Sequence, residues 1–301
     1  MEEVFACVRL TKRYGSKTVL DDITLSVEPG EVCAVLGRNG AGKTTMLRVA
    51  LGLAFPTSGV VRVLGAPPGT RNDEVAFLSE NVAIYPHLSA RDNLRVAAAA
   101  CGMRPLSTGN IENILDSVTL MEAAHKRASS FSLGMKRRLQ LAMATMLRPH
   151  KLLILDEPTN GLDVEGLLWF KRFLLRERET GVSIVVASHA LLDLQDIIST
   201  YAILNKGSIA RRDTWHPTGD KGAIEVVIEP GDMSATVEAI FQAGGWVVTQ
   251  SEGRLRAGGL RDLRAAHHAL FAAGVVPLEV KAAGQTLEDV FLAVTGEPVT
   301  P

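Results

Sequence analysis

Gly37-Arg38-Asn39-Gly40-Ala41-Gly42-Lys43-Thr44 reads G-x-x-x-x-G-K-T, set between the apolar run Val32 to Leu36 and the segment Thr45-Met46-Leu47-Arg48-Val49. That order spells a buried strand, a glycine loop and a helix. Glycines let a backbone wrap closely around a polyphosphate with its N–H groups turned inward. The helix N-terminus adds partial positive charge at the same place. Lys43 has the reach for the β- and γ-phosphates, and the Thr44 hydroxyl suits a Mg²⁺ ion. The chemistry is that of a nucleoside triphosphate; the loop alone does not say how its energy is used.

A second constellation lies in Lys151 to Glu157, K-L-L-I-L-D-E, an apolar run ending in two carboxylates. Such a run predicts a parallel strand buried on both faces, and ligands in parallel sheets gather at the carboxyl ends of the strands. Neighbouring side chains on a strand point opposite ways, which gives the two acids separate jobs. Asp156 suits the Mg²⁺ shell, and Glu157 suits polarising an attacking water. Between the loop and this strand stands Phe131-Ser132-Leu133-Gly134-Met135-Lys136-Arg137-Arg138, followed by Leu139, Ala142, Met143 and Met146 at helical spacing. Locally this predicts an amphipathic helix with Ser132 as its N-cap.

Taken together, these motifs resemble those of the ATP-binding cassette transporter ATPases over about residues 4–215. Gly37 to Thr45 is similar to the family's phosphate loop. Asp156 and Glu157 resemble the metal-shell acid and catalytic base. Ser132 to Met135 resembles a divergent signature motif, in which Ser132 and Gly134 match while Leu133 and Met135 replace the usual glycine and glutamine. Asn160-Gly161-Leu162-Asp163 resembles the loop that follows the base. The resemblance further implies that Tyr14 stacks on adenine and that His189, after the apolar run Val182 to Ala187, senses the γ-phosphate. The loop glutamine of the family falls at Glu80, a carboxylate that can meet Mg²⁺ but cannot donate a hydrogen bond when ionised. The cofactors implied are ATP and Mg²⁺. The family works as a head-to-tail homodimer, with Ser132 of one chain facing the γ-phosphate held by the other. Its partner is an integral membrane permease in a separate chain, docked near Tyr85-Pro86-His87-Leu88. The expected location is the cytoplasmic face of the cell membrane, the expected activity ATP hydrolysis coupled to transport, and the expected direction export.

The remaining features bound this reading. The 301 residues carry 32 Lys and Arg against 33 Asp and Glu, so the balance gives no electrostatic footprint for nucleic acid. Cys7, Cys33 and Cys101 stand apart, without metal-ligand spacing, and no leader segment is evident, which together predict the reducing cytosol. No apolar run approaches the roughly 18 residues of a membrane span. Two other classes stay open at this stage. A non-transport ATPase of the same superfamily would act on nucleic acid or ribosomes. A P-loop kinase or GTPase would have no signature helix.

The expected fold class is α/β, a parallel core sheet with an antiparallel β-subdomain and a helical subdomain. The nucleotide-binding domain is expected at 1–215, with the helical subdomain at about 82–147. The stretch from Asn205 to Gly222, rich in glycine and poor in apolar residues, reads as a linker. Beyond it, 216–301 reads as a small accessory α+β domain in the order β-α-β-β-α-β, with a last helix near its end. His267-His268 reads as a solvated helix surface, since adjacent helical residues face different ways.

Overall fold

The computed structural model describes residues 3–79, 82–146, 149–189, 194–215, 221–227, 232–242, 246–251, 254–258, 263–284 and 286–296. Glu80 lies outside them. The chain divides into two compact units, one of residues 1–189 and 197–213, the other of 190–196 and 214–301.

The elements of the first unit are strands β1 (Phe5–Tyr14), β2 (Lys17–Val27) and β3 (Val32–Leu36), helix α1 (Lys43–Ala50), strands β4 (Ser58–Val63) and β5 (Val75–Leu78), helices α2 (Ala90–Ala100), α3 (Thr108–Ser117) and α4 (Leu133–Thr145), strand β6 (Leu152–Asp156), helix α5 (Val164–Glu179), and strands β7 (Ser183–Ser188), β8 (Thr200–Asn205) and β9 (Ser208–Thr214). The central sheet runs β5-β6-β7-β3-β8-β9, and a smaller antiparallel sheet runs β2-β1-β4. In the central sheet, β5 with β6, β6 with β7, β7 with β3 and β3 with β8 pair in parallel. Strands β3, β6 and β7 are buried at every residue. This is why their sequences are unbroken apolar runs: both faces are covered. One face packs with α1 and the antiparallel sheet, through Leu10, Leu20, Ile23, Met46 and Leu47. Helix α5 contributes buried Phe170, Phe173 and Leu174, the rings of Phe170 and Phe173 stacked at 6.5 Å.

Three serines start the helices of the 82–146 region. Ser89, Ser107 and Ser132 each accept a hydrogen bond from a backbone N–H of the first turn, those of Asp92, Asn110 and Met135. Fully buried Asn93 on α2 accepts from the Tyr85 N–H at 2.8 Å and donates to the carbonyls of Tyr85 and Ser89. It thereby fixes the preceding segment, on which Tyr85, Pro86 and His87 are exposed.

One expectation needs correction. The stretch 205–222 is not wholly a linker, because 208–214 forms β9 at the edge of the central sheet. Only Ile209 is even partly buried there, so an edge strand facing solvent left no alternation to read. Lys206 and Gly207, both at positive φ, make the two-residue turn that leads into it.

The second unit holds β10 (Lys221–Val227), α6 (Met233–Gln242), β11 (Trp246–Ser251), β12 (Arg254–Gly258), α7 (Leu263–Ala272), β13 (Glu279–Gly284) and α8 (Leu287–Thr295). The antiparallel sheet has the order β11-β12-β10-β13, so the expected β-α-β-β-α-β sequence closes into one four-stranded layer. Its core gathers Val226, Ala239, Ile240, Leu255, Leu270 and Val275. Thr286 and Asp289 form a reciprocal capping box that starts α8. His267 and His268 are both exposed.

Candidate functional site

The register of the parallel sheet brings distant motifs together. Leu36 pairs with Ser188, and Asp156 pairs with Ala187. The next residues along the three neighbouring strands are therefore Gly37, Glu157 and His189, all at the carboxyl edge. That is where parallel sheets bind ligands.

The loop from Gly37 to Gly42 turns under steric orders. A Cβ on Gly37 would lie 2.7 Å from the Leu204 carbonyl oxygen. Gly42, at φ 111°, caps α1, and a side chain there would meet Leu20 Cδ2 at 2.7 Å. At these two positions only glycine fits, and the chain passes close to its neighbours. Arg38, Asn39, Gly40, Gly42, Lys43, Thr44 and Thr45 share a 590 Å³ cleft with Glu157 and His189. Gly37 and Ala41 are buried within the loop.

Lys43 is only 5% exposed. Its Nζ donates to the Gly37 carbonyl at 2.5 Å and pairs with Glu157 Oε1 at 3.1 Å. The other oxygen, Glu157 Oε2, accepts from Ser188 Oγ at 2.9 Å and from the His189 N–H at 3.3 Å, and lies 2.9 Å from His189 Nδ1. Burial would push the Glu157 carboxyl up. The Lys43 ammonium, the hydrogen bonds from Lys43 and Ser188, and the neighbouring His189 outweigh it and hold the group below the usual carboxylate range. Glu157 is thus an ionised acceptor beside the cleft, with its backbone in the left-handed region at φ 47°.

Asp156 ends β6 and is 3% exposed, while Thr44 is exposed toward the cleft. Both are hard oxygen donors. Among the described residues, no group of three or more His, Cys, Asp or Glu could enclose a metal. Such a sparse donor set fits Mg²⁺, which keeps waters and takes phosphate oxygens rather than a full protein cage.

Other expected residues stand outside the cleft lining. Tyr14 sits opposite Lys17 at the β1–β2 turn, half exposed, with Lys12 Nζ 4.7 Å from its ring centre. Ser132 and Gly134 lie at the start of α4, where Ser132 Oγ accepts from the Met135 N–H at 3.2 Å. Lys17 and Lys206 line the cleft although nothing in their local sequence marked them, and Asn160, from the motif that follows the base, lines it too. They arrive on two separate turns and the loop after β6. Lys17, Arg38, Lys43 and Lys206 set four cations against the single carboxylate of Glu157 in the lining. This cleft attracts polyanions.

Comparison with known proteins agrees with this geometry. Residues 20–160 match the family model described as ABC transporter. The bacitracin transport ATP-binding protein BcrA of Enterococcus faecalis is 39% identical over 214 residues, covering 69% of this chain and 68% of that one. The lantibiotic transport ATP-binding protein SrtF of Streptococcus pyogenes is 34% identical, over 66% of this chain and 86% of its own length. The uncharacterized ABC transporter ATP-binding protein YhcH of Bacillus subtilis is 30% identical over 99% of this chain and 97% of its own, a span that includes the second unit. Among solved structures, an ATP-binding subunit of an ABC transporter overlays with a TM-score of 0.61 at 28% identity, across 70% of this chain and 90% of that one. A nucleotide-free ATP-binding cassette overlays at 0.65 with 19% identity, across 71% and 92%. The chain belongs to the ABC transporter family, as an ATP-binding subunit whose hydrolysis of ATP drives transport.

Proposed function

We propose that two copies of this chain close head to tail on two ATP molecules and thereby drive export through a separate membrane chain. The observation that carries this is the convergence of Lys43, Glu157 and His189 at one end of three neighbouring parallel strands, inside one cationic cleft. Backbone N–H groups of the 37–42 loop and the N-terminus of α1 hold the phosphates. Lys43 leaves Glu157 for the phosphate oxygens, which frees the carboxylate to accept a proton from the attacking water. His189 stands beside Glu157 and reports whether the terminal phosphate is present. Thr44 and Asp156 would hold Mg²⁺, which would supply charge neutralisation on the phosphates. Ser132, exposed at the start of α4, is free to face the nucleotide of the second copy.

Exposed Tyr85, Pro86 and His87, braced by Asn93, offer the docking surface for the membrane chain. Among the described residues no helix is long and apolar enough to cross a membrane, so this chain's place is proposed at the cytoplasmic face beside that partner. The names of BcrA and SrtF suggest peptide antibiotics as cargo. The first unit is proposed as the nucleotide-binding domain and the second as an accessory domain that supports assembly.

Complementation tests the two-copy arrangement. Lys43→Ala and Ser132→Arg chains should each be inactive alone. Mixed, they form one composite site with native Lys43 and native Ser132, so about half the native activity per such pair should return. No recovery in a mixture proven to contain heterodimers removes the head-to-tail reading. Cargo is tested by expressing the chain with its membrane partner and measuring survival on bacitracin or a lantibiotic.

A further inference from the structure

Arg137, on α4 just beyond Ser132, is 6% exposed. Its guanidinium spans the loop that carries Glu157, the proposed general base. Nη2 donates to the Glu157 carbonyl at 2.6 Å, and Nε donates to the Pro158 carbonyl at 3.0 Å. Nη1 donates to Gln140 Oε1 at 3.2 Å, and Gln140 Nε2 in turn donates to the Val82 carbonyl at 2.7 Å. The fork is planar and rigid, so two adjacent carbonyls held by it are fixed in relative orientation.

Those two carbonyls belong to the least relaxed part of the site. Glu157 sits at φ 47°, a region that residues with side chains avoid. Its N–H is committed to the Ala187 carbonyl at 2.8 Å, continuing the ladder with β7. Pro158 has no N–H to anchor the next peptide. The bonds from Arg137 therefore supply the restraint that the proline cannot.

We propose that Arg137 is a positioning residue for hydrolysis. It holds the backbone of Glu157 in its left-handed turn, so that the carboxylate faces Lys43 and the cleft, and it ties this turn through Gln140 to the segment that begins at Val82. The inference rests on Glu157 being the general base.

The test compares Arg137→Ala and Arg137→Lys, each in the native and the Glu157→Gln background. Steady-state and single-turnover ATP hydrolysis give the rate, and titration with a fluorescent ATP analogue gives affinity. Arg137→Ala should lower kcat by about 100-fold, the scale of an ångström-level misplacement of a catalytic group. Nucleotide affinity should stay within about threefold, since phosphate binding draws on the loop and Lys43. Arg137→Lys, which keeps one donor, should recover about a tenth of the native rate. In the Glu157→Gln background, Arg137→Ala should remove nothing more, because a residue acting through Glu157 has nothing left to position. The proposal is overturned if Arg137→Ala turns over within about twofold of native, if rate and affinity fall together in both variants, or if Arg137→Ala lowers the residual rate of Glu157→Gln further. Should the alanine variant not fold, the same outcomes are read from Arg137→Lys. Native turnover by Glu157→Gln alone defeats the assignment of the base, a result distinct from any of these.

Discussion

Lys43 is engaged by Glu157 in this structure, and the pairing has a measurable cost for binding. Its ammonium lies 3.1 Å from Glu157 Oε1, with side-chain exposures of 5% and 8%, so bulk solvent screens the pair little. A phosphate must displace the carboxylate. Changing Glu157 to Gln leaves the shape and an amide oxygen but removes the charge. A charged hydrogen bond contributes about 1.5–3 kcal/mol and a neutral one about 0.5–1.5 kcal/mol, so the competitor weakens by about 1–1.5 kcal/mol. At about 1.4 kcal/mol per tenfold, Glu157→Gln should bind nucleotide roughly 5- to 10-fold tighter than the native chain. Removing a negative charge next to the bound phosphates works in the same direction. Turnover should fall at least about 100-fold, because an amide cannot accept the water's proton. Titration with ADP and with a non-hydrolysable ATP analogue separates affinity from hydrolysis, and single-turnover measurements give the rate. Equal or weaker binding by Glu157→Gln would refute the displacement of Glu157 by phosphate. A native hydrolysis rate would refute its role as base.

His189→Ala should lower kcat by about 100-fold while moving nucleotide Kd by less than about threefold, because the loop backbone and Lys43 remain; kinetics paired with direct titration decide, and a loss of affinity alone would make His189 a binding residue. Cys101 is exposed, whereas burial, the main influence on both Cys7 and Cys33, pushes each thiol from 9.0 to about 12. Ellman's reagent at pH 8 should therefore titrate one thiol rapidly and the other two only on unfolding. The same shifts set a sign for stability: the folded chain favours the protonated thiols, so their contribution is complete below pH 9.0 and declines as pH rises toward about 12. Denaturation midpoints of native and Cys33→Ala chains across that range should converge with rising pH. Phe170→Ala, at a fully buried ring stacked on Phe173, should cost about 3–5 kcal/mol in urea unfolding without altering nucleotide affinity at temperatures where the chain stays folded.

The sequence by itself determined what is local. Glycines at Gly37, Gly40 and Gly42 followed by Lys43 and Thr44 specify a phosphate loop, because backbone permissiveness and a helix start are properties of a few consecutive residues. The apolar runs ahead of Gly37, Asp156 and His189 specified buried parallel strands, since covering both faces leaves no polar alternation. The alternating strands and helices beyond residue 221 were likewise readable, and they close into the four-stranded layer expected of them. Tertiary structure decided what depends on residues far apart in the chain. The pairing of Leu36 with Ser188 and of Asp156 with Ala187 puts Glu157 beside both Lys43 and His189, and no local pattern encodes that register. Lys17 and Lys206 became cleft cations only because two turns meet there, and Arg137, one basic residue in a run of three, is set apart by its burial and by the carbonyls it reaches. The strand at 208–214 escaped notice for the same reason: it is held by an edge of the sheet, through backbone bonds that any sequence can make, while its side chains face water.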